Sequence, residues 1–283
     1  MRDVTSASVG VVGSANVDLV VRVRSLPQAG ETVLGEDLQQ FPGGKGSNQA
    51  AASAVLGART TFLGALGNDA HGEWMKSQLS SRGVDVSKIV TSTAPTGTAL
   101  IVVDESGENT IVVAPGANST LDITSCDLEG YDVVVAQLEI PMEVVLDAAK
   151  RAKVFILNAA PARELPRELL EHCDVVIVNE TEAARVDPSD VHHLVVTLGA
   201  RGAVFYEDGV QVATSTPPTV TPVDTVGAGD AFVGAFAVQY ALGGELQEVL
   251  DYAVTAGAIA TLKEGAQGSL ATNEEVLKWI EQK

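Results

Sequence analysis

Short β-branched runs alternating with helical segments mark this 283-residue chain as an α/β protein. The expected core is a central, mostly parallel sheet flanked by helices, with a small β-sheet lid. Three observations carry that reading. Apolar runs at 9–12, 133–136, 154–157, 175–178 and 194–197 are too short for helices and read as buried parallel strands. The segments between them, 142–151 and 164–172 among them, follow helical patterns. Two stretches, about 18–41 and 96–113, look like strands and turns without crossover helices, as a capping sheet would.

In chain order, the strand over 9–12 leads to Asn16 and Asp18 at a sheet's carboxyl end, where open α/β sheets bind ligands. Asp18 can accept two hydrogen bonds from neighbouring hydroxyls, although Asx residues also simply make turns there. The first lid segment runs into Pro42-Gly43-Gly44-Lys45-Gly46-Ser47-Asn48-Gln49, ahead of an Ala-rich helix over 50–56. The glycine and lysine spacing is not that of a P-loop. Glycines let a backbone approach a ligand while Lys45 and Asn48 offer donors; a glycine turn beside a solvated lysine is the bland alternative. Residues 98–104, a turn over 105–109 and a strand from 110 to 113 form a hairpin, followed by a turn at 114–118.

Glu139 follows the strand at 133–138. Asn179-Glu180-Thr181-Glu182 ends one strand and begins a helix, so that Asn179 and Glu182 either hold Mg²⁺ through water or only cap the helix. Thr197-Leu198-Gly199-Ala200-Arg201-Gly202 is a further strand-end turn able to receive phosphates. Near the C-terminus, Asp224-Thr225-Val226-Gly227-Ala228-Gly229-Asp230 sets two carboxylates around small residues that open a helix. A helix start leaves unpaired N–H donors and a partial positive charge, suited to a phosphate or a developing oxyanion. Asp230 could take a proton from an attacking hydroxyl while Gly227, Ala228 and Gly229 hold the transferred charge. An acid stabilising a helix N-terminus after a tight turn is the competing explanation. Phe232, Phe236 and Tyr240 give that helix an apolar face.

A formal net charge of −19 disfavours nucleic acid and anionic membranes as partners. Cys126 and Cys173 lie far apart without metal-ligand spacing and read as core residues. Neither a signal peptide nor a membrane span is visible, so a soluble cytoplasmic protein is the expectation. The absence of a linker or repeat favours one domain over 1–283, with the lid as its excursion.

Taken together, the motifs Gly43-Gly44-Lys45-Gly46-Ser47-Asn48-Gln49-Ala50, Gln137-Leu138-Glu139, Asn158-Ala159-Ala160-Pro161-Ala162-Arg163, Val178-Asn179-Glu180-Thr181-Glu182 and Asp224 to Asp230 resemble the ribokinase/PfkB sugar-kinase family over essentially the whole chain. The resemblance implies a ribokinase-like fold whose lid closes over the sugar and commonly forms a homodimer contact. It implies transfer of the γ-phosphoryl of MgATP to the O5 hydroxyl of D-ribose. Asn16, Asp18, Gly44, Lys45, Asn48 and Glu139 would bind the sugar, and Asn179, Thr197, Gly199, Gly202 and Gly229 the ATP. Asp230 would be the catalytic base and Gly227 to Gly229 the anion hole. An activating K⁺ would sit at Asp224, Val226, Ala260, Lys263, Gly265 and Ser269, and Glu182 would serve Mg²⁺. Sister kinases acting on deoxyribose, fructose, a ketosugar acid or a nucleoside are the alternatives, and a non-catalytic sugar-binding regulator is a third. Two departures stand out. Only ten residues separate Ala183 from Leu194, where the family usually has a further helix, and Val254 stands where some ribokinases place a histidine near adenine.

Overall fold

The computed structural model describes residues 3–282. These run β1 (Ser8–Val12), β2 (Asn16–Arg22), β3 (Gln39–Gly43), α1 (Lys45–Val55), β4 (Arg59–Leu63), β5 (Ala65–Gly67), α2 (Ala70–Ser81), β6 (Val90–Ser92), β7 (Gly97–Val103), β8 (Asn109–Ala114), β9 (Val133–Ala136), α3 (Met142–Arg151), β10 (Phe155–Asn158), α4 (Arg167–Leu170), β11 (Val175–Asn179), α5 (Glu180–Ala183), β12 (His193–Thr197), β13 (Ala203–Glu207), β14 (Val210–Ser215), α6 (Ala228–Ala241), α7 (Leu246–Ala260) and α8 (Asn273–Glu281).

The main sheet has eight strands in the order β14-β13-β12-β11-β10-β9-β1-β4. Pairing is parallel from β4 to β12 and antiparallel for β13 and β14. The five strands expected from apolar runs are all present, and most of their β-branched residues are buried because helices cover both faces. One core layer joins Val9, Val11 and Val135 to Phe232 and Phe236 of α6; the other joins Val12, Val134 and Ala136 to Val145 and Ala148 of α3. A separate four-stranded sheet, β3-β2-β7-β8, is built from the two segments expected to form a lid, and β5 pairs with β6 in a third, two-stranded sheet.

Local differences from expectation have local causes. The helix expected over 164–172 shrinks to α4, because Pro166 restrains Leu165 to extended backbone and supplies the helix N-cap. The helix expected over 50–56 begins earlier, at Lys45, held by Ser47, whose Oγ donates to Gly43 O and whose N–H donates to Ser14 O. The short β11–β12 connection contains only α5 and a turn of 3₁₀ helix at Pro188–Asp190. Val186 and Val191 are buried there, so apolar side chains cover the face that a further helix would have shielded.

Candidate active site

Strand β2 starts four residues beyond β1, so Asn16 and Asp18 stand at the boundary between the smaller sheet and the main sheet. Asn118 fastens that boundary: its Oδ1 accepts from Ala15 N (2.9 Å), while its Nδ2 donates to Ala15 O (3.2 Å) and Asn16 Oδ1 (2.8 Å). The Asp18 carboxylate lies over Gly43, where any Cβ would collide with it. Burial pushes its pKa up to about 7, with Glu139 and Asp230 adding like-charge repulsion.

Glu139 is held by Ser14 Oγ (2.6 Å) and by the Lys45 backbone N–H (3.0 Å), both donating to Oε2. Gly44, the residue before α1, has φ of 86° and packs against Ala15, which reserves the position for glycine. The Lys45 side chain enters a cavity of about 130 Å³ shared with Asn158, Asn179, Glu182, Thr197, Gly227, Gly229 and Asp230. Burial works against its ammonium, but the carboxylates of Asp230, Glu139 and Glu182 outweigh this and hold its pKa above the usual lysine value. Lys45, expected with the sugar group, therefore sits between that group and the residues expected to bind nucleotide.

Asp230 lies in the first turn of α6, after Gly227 in the left-handed region with φ of 78°. Its two carboxylate oxygens accept from Asn48 Nδ2 and Gln49 Nε2, each at 2.9 Å. Burial raises its pKa despite the opposing Lys45 charge and these two hydrogen bonds; Glu139 adds to the rise. The Ala228 N–H donates to Thr225 O at 3.3 Å, so Ala228 is the least available donor of the expected anion hole. Helical geometry leaves the following first-turn N–H groups without intrahelical partners.

Beyond Thr197 and Gly229 a larger cavity of about 530 Å³ opens, lined by Gly199, Gly202, Pro217, Pro218, Val220, Phe232, Val254, Gly257 and Ala258. Its apolar walls fit a flat aromatic base, and Val254 belongs to them. Asn179 and Glu182 form a reciprocal capping box, Glu182 N donating to Asn179 Oδ1 and Asn179 N to Glu182 Oε2, both at 2.9 Å. The structure shows the cap of α5, and the same pair also lines the smaller cavity.

Asp224 pins two loops together. One oxygen accepts from Val226 N (2.9 Å) and the other from Gly265 N (2.8 Å), while Val223 N and Asp224 N both donate to Thr261 O. Ser269 Oγ donates to Ala260 O at 2.5 Å. The positions expected around K⁺ accordingly meet through these two loops, and Lys263 belongs to the second. Residues whose site roles the sequence reading missed are Gln49, Gln137, Asn118, Asn158 and Gln267. Gln49, Gln137 and Asn158 fall inside quoted motifs, whereas Asn118 and Gln267 had no signal beyond being polar residues in turns.

The family model described as pfkB family carbohydrate kinase matches residues 6–273. Ribokinase of Bacillus subtilis (strain 168) is 40% identical over 288 residues, spanning 94% of this chain and 97% of that protein. The bifunctional ribokinase/ribose-5-phosphate isomerase A of Fructilactobacillus sanfranciscensis is 37% identical over 302 residues; the match covers 96% of this chain but only 56% of that longer protein. Among solved structures, Arabidopsis thaliana ribokinase complexed with ribose and ATP superposes with a TM-score of 0.90 at 31% identity, covering 97% of this chain and 99% of that one.

Proposed function

Because this chain belongs to the pfkB family of carbohydrate kinases, we propose that it is an ATP-dependent sugar kinase transferring the γ-phosphoryl group of MgATP to the O5 hydroxyl of D-ribose. One observation carries the reading: a buried carboxylate, Asp230, stands at a helix N-terminus between a carboxylate-lined polar site under the lid and an apolar cavity. Asp18 and the Asn16 amide suit sugar hydroxyls, which carboxylates accept from and amides both donate to and accept from. Glu139 serves by holding the Lys45 backbone.

In the reaction, Asp230 orients O5 and accepts its proton as the O–P bond forms, while the bond from phosphorus to the ADP oxygen breaks and ADP carries away the electron pair. The loose transition state of phosphoryl transfer leaves positioning and charge neutralisation as the main tasks. The Lys45 ammonium and the first-turn N–H groups of α6 supply the neutralisation from the protein side. Closure of the lid would exclude water, which otherwise competes for the phosphoryl group.

Glu182 and Asn179, carboxylate and amide oxygens on the cavity wall, fit a Mg²⁺ held through water. When bound with ATP, Mg²⁺ screens the phosphate charge. A monovalent K⁺ suits the donor chemistry of Asp224 with the backbone carbonyls at Val226, Ala260, Lys263 and Gly265 and the Ser269 hydroxyl. For assembly, every residue of β8 is exposed, with Leu100 of β7 and Ile111, Val112 and Val113 of β8 on the surface, which supports a homodimer through the lid. Among the described residues no helix is long and apolar enough to cross a membrane.

The test is ADP release from MgATP with D-ribose, compared with deoxyribose, fructose, a ketosugar acid and nucleosides. A clear preference for ribose in kcat/KM is expected; turnover confined to another sugar would overturn the ribose assignment, and none on any of them would overturn the kinase.

A further inference from the structure

Beneath the catalytic carboxylate lies a chain of buried amides that the proposed chemistry does not itself use. Gln137 Nε2 donates to Gln49 Oε1 at 2.7 Å; Gln49 Nε2 donates to Asp230 Oδ1 at 2.9 Å and to Asn158 Oδ1 at 3.0 Å; Asn158 Nδ2 donates to Ile177 O at 3.2 Å. On the other oxygen, Asn48 Nδ2 donates to Asp230 Oδ2, and Gln267 Nε2 donates to Asn48 Oδ1 at 2.9 Å. Gln49 and Gln137 have no exposed surface.

The partners leave the amides one orientation each. Gln49 faces a donor, Gln137 Nε2, on one side and two acceptors on the other, so its oxygen must point to Gln137 and its nitrogen to Asp230. Flipping it would set an oxygen against a carboxylate and an N–H₂ against an N–H₂. Asn48 is fixed in the same manner by Gln267. Such a network costs free energy if incomplete: Gln137 Oε1 and Gln267 Oε1 are buried without a hydrogen-bond partner. A fold seeking only stability would fill these positions with apolar side chains.

We propose that Gln49 is a positioning residue for phosphoryl transfer: it fixes the plane of the Asp230 carboxylate, together with Asn48, and is itself held by Gln137. Residues from β10, α1, the turn just after β9 and the loop before α8 thereby converge on one carboxylate at the start of α6. The inference rests on the kinase reading, in which Asp230 accepts the proton of the sugar hydroxyl. A carboxylate held by two amide donors keeps one rotamer, and those donors join Lys45 in favouring its ionised form against burial and the neighbouring Glu139, which favour protonation. Lys45 in turn faces Glu139 and Glu182.

Gln49→Met keeps the side-chain length and removes the donor. Expected is a fall in kcat of about tenfold to a hundredfold, the worth of one charge-assisted hydrogen bond, with KM for ribose and ATP within about threefold of wild type. The acid limb of kcat/KM against pH should move to higher pH, because Asp230 loses a group that favours its ionised form. A lowered melting temperature with an unmoved limb and normal kcat per folded molecule would make Gln49 merely structural and overturn the proposal. Should Gln49→Met fail to fold, Gln137→Met, one bond further back, is expected to shift the limb in the same direction by less; an unmoved limb there would overturn it equally. An activity-free readout separates this proposal from the kinase reading. In protein carrying ¹³C at the Asp side-chain carboxyl carbons, with the Asp230 resonance assigned through Asp230→Asn, the titration midpoint should rise in the variant. An unchanged midpoint overturns the clamp even in an active kinase, and a raised midpoint in a protein that turns over no sugar upholds it while the kinase reading fails.

Discussion

Asp18→Asn probes the site through stability as well as through catalysis. In the folded chain the Asp18 carboxyl is held at a pKa of about 7, against 3.8 for an ordinary aspartate, by burial and by the neighbouring Glu139 and Asp230 carboxylates. Its folded pKa is raised, so the folded state binds the proton more tightly than the unfolded state. Below about pH 4 the group is protonated in both states and costs nothing. As pH rises from about 4 to about 7 only the unfolded chain releases its proton, so stability falls across that window and stays low above it. At about 1.4 kcal/mol per pH unit the full loss is on the order of 4 kcal/mol, and the part between pH 5 and pH 7 about 3 kcal/mol.

Replacement by asparagine removes this titration while keeping the shape. For a chain of this length 1 kcal/mol moves the melting temperature by about 2 °C. Melting temperature measured calorimetrically at pH 5 and pH 8 should therefore fall by about 5 °C more in wild type than in Asp18→Asn, the difference cancelling groups that titrate in both. Equal falls in the two proteins would refute the reasoning. Ribose adds a second reading of the same carboxylate. Hydroxyls that donate to Asp18 favour its ionised form, so in wild type the KM for ribose should decrease as pH rises from 6 to 8. In the variant that dependence should weaken and the KM should be higher throughout.

Other outcomes follow from the same geometry. Asp230→Asn should reduce kcat by about a hundredfold to ten-thousandfold with ribose affinity, measured by calorimetric titration, largely kept; near-normal turnover would remove Asp230 from its role. Gly227→Ala would bring a Cβ to 2.5 Å from Ala266 Cα and hold a non-glycine residue at a φ of 78°, so both kcat and melting temperature should drop, checked by steady-state kinetics and scanning calorimetry. Activity in potassium salts should exceed that in sodium salts at equal ionic strength if the loops joined by Asp224 hold K⁺, and Asp224→Ala should abolish the difference. Val254→Trp, which intrudes on the apolar cavity, should raise the KM for ATP several-fold with the KM for ribose little changed in the same assay.

The parts of the fold that local physics decides were legible. Buried parallel strands need apolar β-branched runs, and β1, β9, β10, β11 and β12 each carry one. The start of α1 was not, because the glycines at 44 and 46 are poor advertisements for a helix and the turn is held from outside by Ser14 O. The hairpin β13–β14 has Asp208-Gly209 at its turn, a strong signal, and yet was not among the expected elements. In the site, local motifs marked Asp230, Asn48 and Asp18 as candidates and the resemblance gave them roles, but the roles of their neighbours depend on contacts between distant segments. Gln267 meets Asn48 across 219 positions and Gln49 meets Asp230 across 181, separations that no periodicity or spacing rule spans.

The energetics explain why those long-range amides and the carboxylates occur together. Asp18, Glu139 and Asp230 repel one another in a site that water only partly reaches, and the raised pKa of Asp18 means that the fold is less stable at neutral pH for having them. Lys45 offsets part of that repulsion, and the Asn48 and Gln49 amides a further part, while Ser14 and the Lys45 backbone N–H satisfy Glu139. What remains uncompensated is acceptor capacity under the lid, where a polyol can donate hydroxyls to Asp18 and an acceptor hydroxyl can give its proton to Asp230. The destabilising charge and the proposed chemistry therefore share one origin, and a sugar under the lid should stabilise the chain more at pH 8, where Asp18 is ionised, than at pH 5. Equal stabilisation by ribose at the two pH values, read as the shift in melting temperature, would mean that Asp18 is not where the sugar binds.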